Sequence, residues 1–98
     1  MTNKRGKAVR EQRIALGADL RIGHAREVFD ALAAATDKAT VVIDASTVAK
    51  VDAAGLQALA AHVVQWRTAG KAWRWDNPTD TLRTSARSAG LDEALGLE

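Results

Sequence analysis

The segment Val41-Val42-Ile43-Asp44-Ala45-Ser46-Thr47-Val48-Ala49-Lys50-Val51-Asp52-Ala53-Ala54-Gly55-Leu56-Gln57 constrains the fold of this chain more than any other stretch. It is entered through Thr40 on a compact β-branched run with no polar alternation. Such a run reads as a strand buried on both faces, at the centre of a sheet covered by helices. Ala45 to Val51 then makes an extended connection, and Asp52 stands where a helix begins. A carboxylate at that position accepts a first-turn N–H and suits the positive end of the helix dipole. Leu56, Leu59, Ala60, Val63 and Trp66 or Arg67 give the helical stripe that follows, and Gly70 is a natural left-handed stop. A buried strand joined to a helix in so few residues is the unit of a parallel α/β sheet. The small residues Ala53, Ala54 and Gly55 leave the tip of that helix bare and approachable.

Upstream, Gln12, Ile14 and Leu16 alternate with Arg13 and Ala15, and Leu20 and Ile22 flank Arg21. With Gly17-Ala18-Asp19 between them they read as a two-stranded hairpin, an antiparallel edge to the sheet. Ala25, Val28, Phe29 and Leu32 then fall on one helical face that runs to about Ala35. Downstream, Ala72 to Trp75 reads as a strand with Trp73 and Trp75 on one face. Asn77-Pro78 reads as N-cap and first helical residue, with Asp80 in the first turn. Leu82, Ser85, Ala86 and Ala89 give the last stripe, Gly90 stops it, and Leu91 folds back as the partner of a Schellman motif. Leu95 and Leu97 are expected to close the edge of the core. The fold class is therefore α/β, a mixed β-sheet of about four to five strands with helices packed on it.

The chain has 98 residues and a net charge of +2, with no cysteine. A disulfide framework, a thiolate metal site and a cysteine nucleophile are excluded. No stretch approaches the roughly 20 apolar residues that cross a bilayer. The polar, basic N-terminus does not read as a secretory signal, so a cytoplasmic protein without membrane insertion is expected. Lys4, Arg5, Lys7, Arg10 and Arg13 stand against Glu11 alone. Residues 1–11 read as a basic arm and 12–98 as the domain. The arm reads as a solvated terminus before a nucleic-acid contact.

The central segment resembles the signature of the STAS family, the fold of bacterial anti-sigma factor antagonists. The usual form is an apolar strand, Asp-x-Ser, an apolar residue, then apolar-Asp-Ser-Ser-Gly-Leu-Gly. Asp44, Ser46, Val48, Val51, Asp52, Gly55 and Leu56 match it residue by residue, and Trp75, Pro78, Leu82, Gly90, Leu91 and Leu95 fit the family's last strand and helix. The resemblance covers residues 12–97. It implies a non-enzymatic protein-interaction module that docks through Ser46, Thr47, Lys50, Asp52, Ala53, Ala54, Gly55 and Gln57. Its implied partner is an anti-sigma kinase-like or chemosensory protein. In such antagonists the first serine after the capping Asp is phosphorylated by the partner kinase. Ala53 stands there, followed by Ala54, so that switch is missing. The chain thus resembles a constitutive binder, a stand-alone STAS regulator of bacterial signalling. It is similar also to the STAS subunit of phospholipid-transport ABC complexes, whose partner is the transport ATPase.

The same residues bear on other chemistry. Ser46 and Thr47, the loop's hydroxyls, are alternative phosphosites, but local bonding to backbone suits them better. Asp44 and Asp52 lack the further oxygens of a Mg²⁺ site and a cleft for acid–base work. His24, with Glu27 three residues on, and His62 read as surface histidines, because a metal needs three or four ligands. Trp73 and Trp75 read as core, Trp66 as a helix-edge residue at a partner surface, and Arg67, Lys71, Arg83 and Arg87 as a solvated basic face. No phosphate-loop, nucleophile-elbow or zinc-helix motif is present. No cofactor, no metal and no catalytic residue is expected.

Overall fold

The structure, a computed structural model, describes residues 10–98. The basic arm lies outside the described residues except for Arg10 and Glu11. Strand β1 (Glu11–Ala15) is followed by β2 (Asp19–Leu20), a 3-10 turn (Ile22–His24) and helix α1 (Ala25–Ala33). Then come β3 (Thr40–Asp44), β4 (Lys50–Val51) and helix α2 (Ala53–Ala69). Strand β5 (Trp73–Asp76), helix α3 (Asp80–Ser88) and the short helix α4 (Asp92–Leu95) complete the chain. The class is α/β as expected. One sheet runs β1-β3-β5 and a second pairs β2 with β4.

The N-terminal hairpin does not form. Every strand pair among the described residues is parallel: Glu11 lies opposite Thr40, Asp19 opposite Lys50, and Val41 opposite Trp73. Residues 11–20 run as one extended course beside residues 40–51. Leu16 N–H still bonds to Asp44 O at 2.9 Å, and Ala49 and Lys50 N–H both reach Ala18 O. The Gly17-Ala18 stretch therefore bends the chain without reversing it. Alternation gives the strands and their faces but not their partners.

Pleating sends Ile14, Val41 and Ile43 to one face, where they join Val28, Leu32, Leu59, Val63 and Leu82 in a single apolar cluster. On the other face, no helix among the described residues joins β3 in the apolar cluster. Val42 is fully buried yet lies outside that cluster. Its register neighbours are Arg13 and Arg74. Arg13 pairs with Asp76 across the sheet, and Arg74 Nη2 reaches Glu11 at 3.1 Å in the opposite direction. Because β3 lies between β1 and β5, both side chains pass over the central strand. Both arginine side chains remain about half exposed.

The helix ends obey the expected stops. Gly70 and Gly90 have φ of 71° and 72°. Lys71 N–H bonds to Trp66 O and Leu91 N–H to Ala86 O, the long bond of a Schellman motif in each case. The start of α3 differs from expectation by two residues. Thr79 is the N-cap and accepts Leu82 N–H at 3.2 Å, while Asn77 takes φ 51° in the turn before it. The same hydroxyl donates to Val48 O at 2.8 Å, so the cap of α3 also ties down the connection after β3.

Trp73 and Trp75 pack on the core, and Trp75 Nε1 donates to Leu95 O at 2.8 Å. Leu95 and Leu97 are buried, as expected. Trp66 is core as well, not a helix-edge contact. Of the basic face expected to be solvated, Arg87 is exposed while the other three residues bond to backbone carbonyls. Arg67 donates to Glu93 O and Ala94 O, Lys71 to Thr36 O, and Arg83 to Leu97 O and Glu98 O. These cations add side-chain donors to carbonyls at helix ends and in loops.

Candidate functional site

Three pieces meet at one end of the domain: the 3-10 turn after β2, the connection from Ala45 through β4, and the first turn of α2. Asp52 joins them. Its Oδ1 accepts Gly55 N–H at 3.0 Å, the helix cap, and its Oδ2 accepts Ile22 N–H at 2.8 Å. Those two amides, Gly55 first, hold the carboxyl below its usual range, with the Arg21 charge assisting. Asp52 is thus a brace inside the tip, with both oxygens committed, more than a group held out to a partner.

Gly55 is buried. A Cβ built there would lie 1.7 Å from the Leu20 carbonyl oxygen. The glycine lets α2 approach the backbone of β2 closely. What the tip offers outward is Ala53 and Gln57, both exposed, with Ala54 half-buried between them.

Ser46, Thr47 and Lys50 are exposed beside them. Ser46 donates through its amide at 3.0 Å and its hydroxyl at 2.7 Å to Asp44 Oδ1. These two bonds, the hydroxyl first, hold the Asp44 carboxyl below its usual range, with Arg13 adding its charge from 3.5 Å. Thr47 Oγ1 donates to Leu16 O at 3.2 Å. Ser46 thus bonds a carboxylate two residues back and Thr47 a carbonyl on the strand course before α1, so neither hydroxyl makes the local backbone bond expected of it. Along the connection, Ala45 N–H bonds to Asp76 O, Val48 N–H to Ala45 O, and Ala49 and Lys50 N–H to Ala18 O.

Ile22 was missed in the sequence, where it reads as a strand residue alternating with Leu20. It lies on the 3-10 turn and is 76% exposed, against 40% for Phe29 and 44% for Val64, the other exposed large apolar side chains among the described residues. The signal available was the change of period at Gly23-His24, which ends any strand before Ile22 can pair.

An open cleft of about 450 Å³ runs beside the turn, between residues 15–20 and α1, with Leu16, Leu20 and Val28 along it and Asp19, His24 and Glu27 at its mouth. His24 Nδ1 lies 3.2 Å from Glu27 and Nε2 3.7 Å from Asp19. Arg21 binds Asp19 through two nitrogens at 3.0 and 2.8 Å and holds that carboxyl far below its usual range. Among the described residues no group of three or more such side chains is arranged to hold a metal ion. His62 is not a surface histidine: it is half-buried, its ring centroid is 4.4 Å from that of Phe29, and its Nε2 is buried without a hydrogen-bond partner. Among the described residues no helix is long and apolar enough to cross a membrane.

A family model described as "Mlab, STAS domain" matches residues 4–97 of the chain. Comparison with curated proteins and with solved structures returned no match.

Proposed function

The chain belongs to the STAS domain family, and from that premise we propose that it works as a constitutive docking module that binds a protein partner through the tip around Ala53. The observation that carries this reading is the pairing of a braced helix start with an exposed first residue that bears no hydroxyl. Asp52 fixes the first turn of α2 through two backbone bonds, and the exposed residue after it is Ala53, with no hydroxyl to phosphorylate. A phosphate there would bring nearly two negative charges and repel or desolvate a docked partner. Without one, contact persists as long as both proteins are present. Ser46, Thr47, Lys50 and Gln57 complete the proposed face. Asp52 and Gly55 shape it from beneath.

Two kinds of partner suit such a contact. One is a kinase-like or chemosensory protein of bacterial signalling, as for anti-sigma factor antagonists. The other is the ATPase of a phospholipid-transport complex, for which the absence of a switch at Ala53 is natural, because a subunit contact is permanent. Either would place the protein in the cytoplasm.

Immobilised wild-type chain and Ala53→Glu, matched for thermal midpoint, separate these outcomes in native cell extract. The expected result is a protein retained by the wild type and lost by the variant. A kinase-like or chemosensory protein assigns the signalling role, and a transport ATPase the subunit role. Identical retention by both chains would sink the tip as the docking surface.

A further inference from the structure

We propose that β5 is a self-pairing edge: two copies of this chain join antiparallel along it, Trp75 opposite Trp75, into one continuous sheet. The inference stands apart from the docking reading, since it uses none of the tip residues. β5 is the last strand in the order β1-β3-β5. Its inner side bonds to β3 and the residue after it: Ala72 O accepts Val41 N–H at 3.0 Å, and Asp76 O accepts Ala45 N–H at 3.1 Å. Residues 72, 74 and 76 therefore direct their backbone groups inward. The alternation of a strand turns the amide and carbonyl of Trp73 and Trp75 outward. Among the described residues no backbone group pairs with them there. Such an edge is a template for a further strand.

The side chains select the occupant. Directly opposite residues of an antiparallel pair share a face, and like charges there are unfavourable. Arg74 and Asp76 flank Trp75 on one face with opposite charges. With Trp75 opposite its copy, each Arg74 faces the copy's Asp76, twice over by symmetry. The two Trp75 backbones then exchange their N–H and C=O groups. A shift of two residues one way sets Arg74 against Arg74, and the other way Asp76 against Asp76. Charge on an edge commonly blunts pairing; here it blunts the neighbouring registers and favours the self-complementary one. The charges already on this face agree. Arg74 reaches Glu11 at 3.1 Å, while Arg13 is shared between Asp76 and Asp44. Three carboxylates thus share two guanidinia, and the copy's Arg74 brings Asp76 a second cation. On the helix side the edge carries Trp73 and Trp75, half-buried and 6.0 Å apart, with Gly96 against Trp73 and the Leu95 carbonyl on Trp75, none of them charged. Pairing sets one Trp75 beside the other, a cross-strand aromatic contact that stabilises sheets.

The strand is only 4 residues long, so the expected dimer is weak, half-formed at about 0.1 mM chain. Sedimentation of the full chain from about 0.01 to 1 mM reads it. Arg74→Asp and Asp76→Arg, each melted to check its fold, are each expected to weaken self-association about tenfold or more, because each puts like charges in both facing pairs. Mixed one to one, the two variants should associate with each other about as tightly as the wild type, since two carboxylates of one chain then face two guanidinia of the other. That rescue separates pairing from damage within the chain, because each variant still lacks its own bond to Glu11 or Arg13. In the wild type, exchange of the Trp75 amide hydrogen should slow as concentration rises. If either variant unfolds, this amide decides alone. The proposal is overturned by a wild type that stays monomeric throughout, by variants that self-associate within about twofold of it, by a mixture that does not associate, or by a dimer whose Trp75 amide exchanges as in the monomer.

Discussion

Gly55→Ala is expected to destabilise the domain by about 3 kcal/mol or more and to lower its thermal midpoint by about 12 °C or more. Two effects compete. Alanine is the better helix former by about 1 kcal/mol at an interior position, so propensity alone predicts a gain. The added Cβ would sit 1.7 Å from the Leu20 carbonyl oxygen and 2.8 Å from its carbon. Those are backbone atoms of β2, and no side-chain rotation relieves them. Either α2 lifts off the two-stranded sheet or β2 shifts, and both disturb Leu20 and Leu56, which are buried in the core. The clash wins because the added Cβ would lie more than an ångström inside any real contact, and close packing turns such an overlap into a displacement of the whole element. Gly17→Ala and Gly23→Ala are the controls. Nothing lies within 4 Å of their added methyl groups and neither has positive φ, so both should be neutral or slightly stabilising. Thermal and denaturant melts of the three variants check the ranking. A neutral Gly55→Ala would mean that α2 does not approach β2 as closely as described.

Asp52→Ala should loosen the tip and change its acid response. The substitution removes the cap on Gly55 N–H and the brace on Ile22 N–H together. Loss of a cap of this kind lowers the midpoint of a domain this size by about 4–8 °C. The pH dependence follows from the sign of the shift. In the folded chain the Asp52 carboxyl titrates below its ordinary value, as do those of Asp19 and Asp44. The unfolded chain therefore binds protons first as pH falls. The stabilisation is fully present above the unfolded carboxylate range, about pH 4, and is lost as pH drops through the lower folded values. Wild-type stability should be insensitive to these groups near neutrality and decline below about pH 4. Asp52→Ala should start lower and decline less steeply. An equally steep decline in the variant would place the acid sensitivity elsewhere.

The strand–connection–helix unit around β3 was legible because three independent signals coincide there: a β-branched run, a capping carboxylate and a glycine stop. The positive-φ glycines at 70 and 90 were legible for the same local reason. Pairing partners were not. Gly17-Ala18 carries the composition of a hairpin turn, but Leu16 and Ala18 find their bonds at Asp44 and at Ala49 and Lys50 instead. The charged face of the sheet was also hidden, because Val42 looks like any core strand residue until Arg13 and Arg74 are seen crossing it. Within the tip, the residue types came from the signature, while their division of labour did not. Asp52 and Gly55 turn inward to build the surface that Ala53, Gln57 and Lys50 present. Ile22 reaches that surface only because the chain leaves β2 two residues earlier than alternation suggests.

Amide hydrogen exchange of the full chain, free and saturated with its Ala53-dependent partner, decides most directly whether this end of the domain is the docking surface. Docking at the tip predicts slowed exchange in residues 21–24, 46–50 and 53–57, with α3 and α4 unchanged. Protection confined to α3, α4 or the Arg13–Arg74 face, with the tip exchanging as in the free chain, would contradict it.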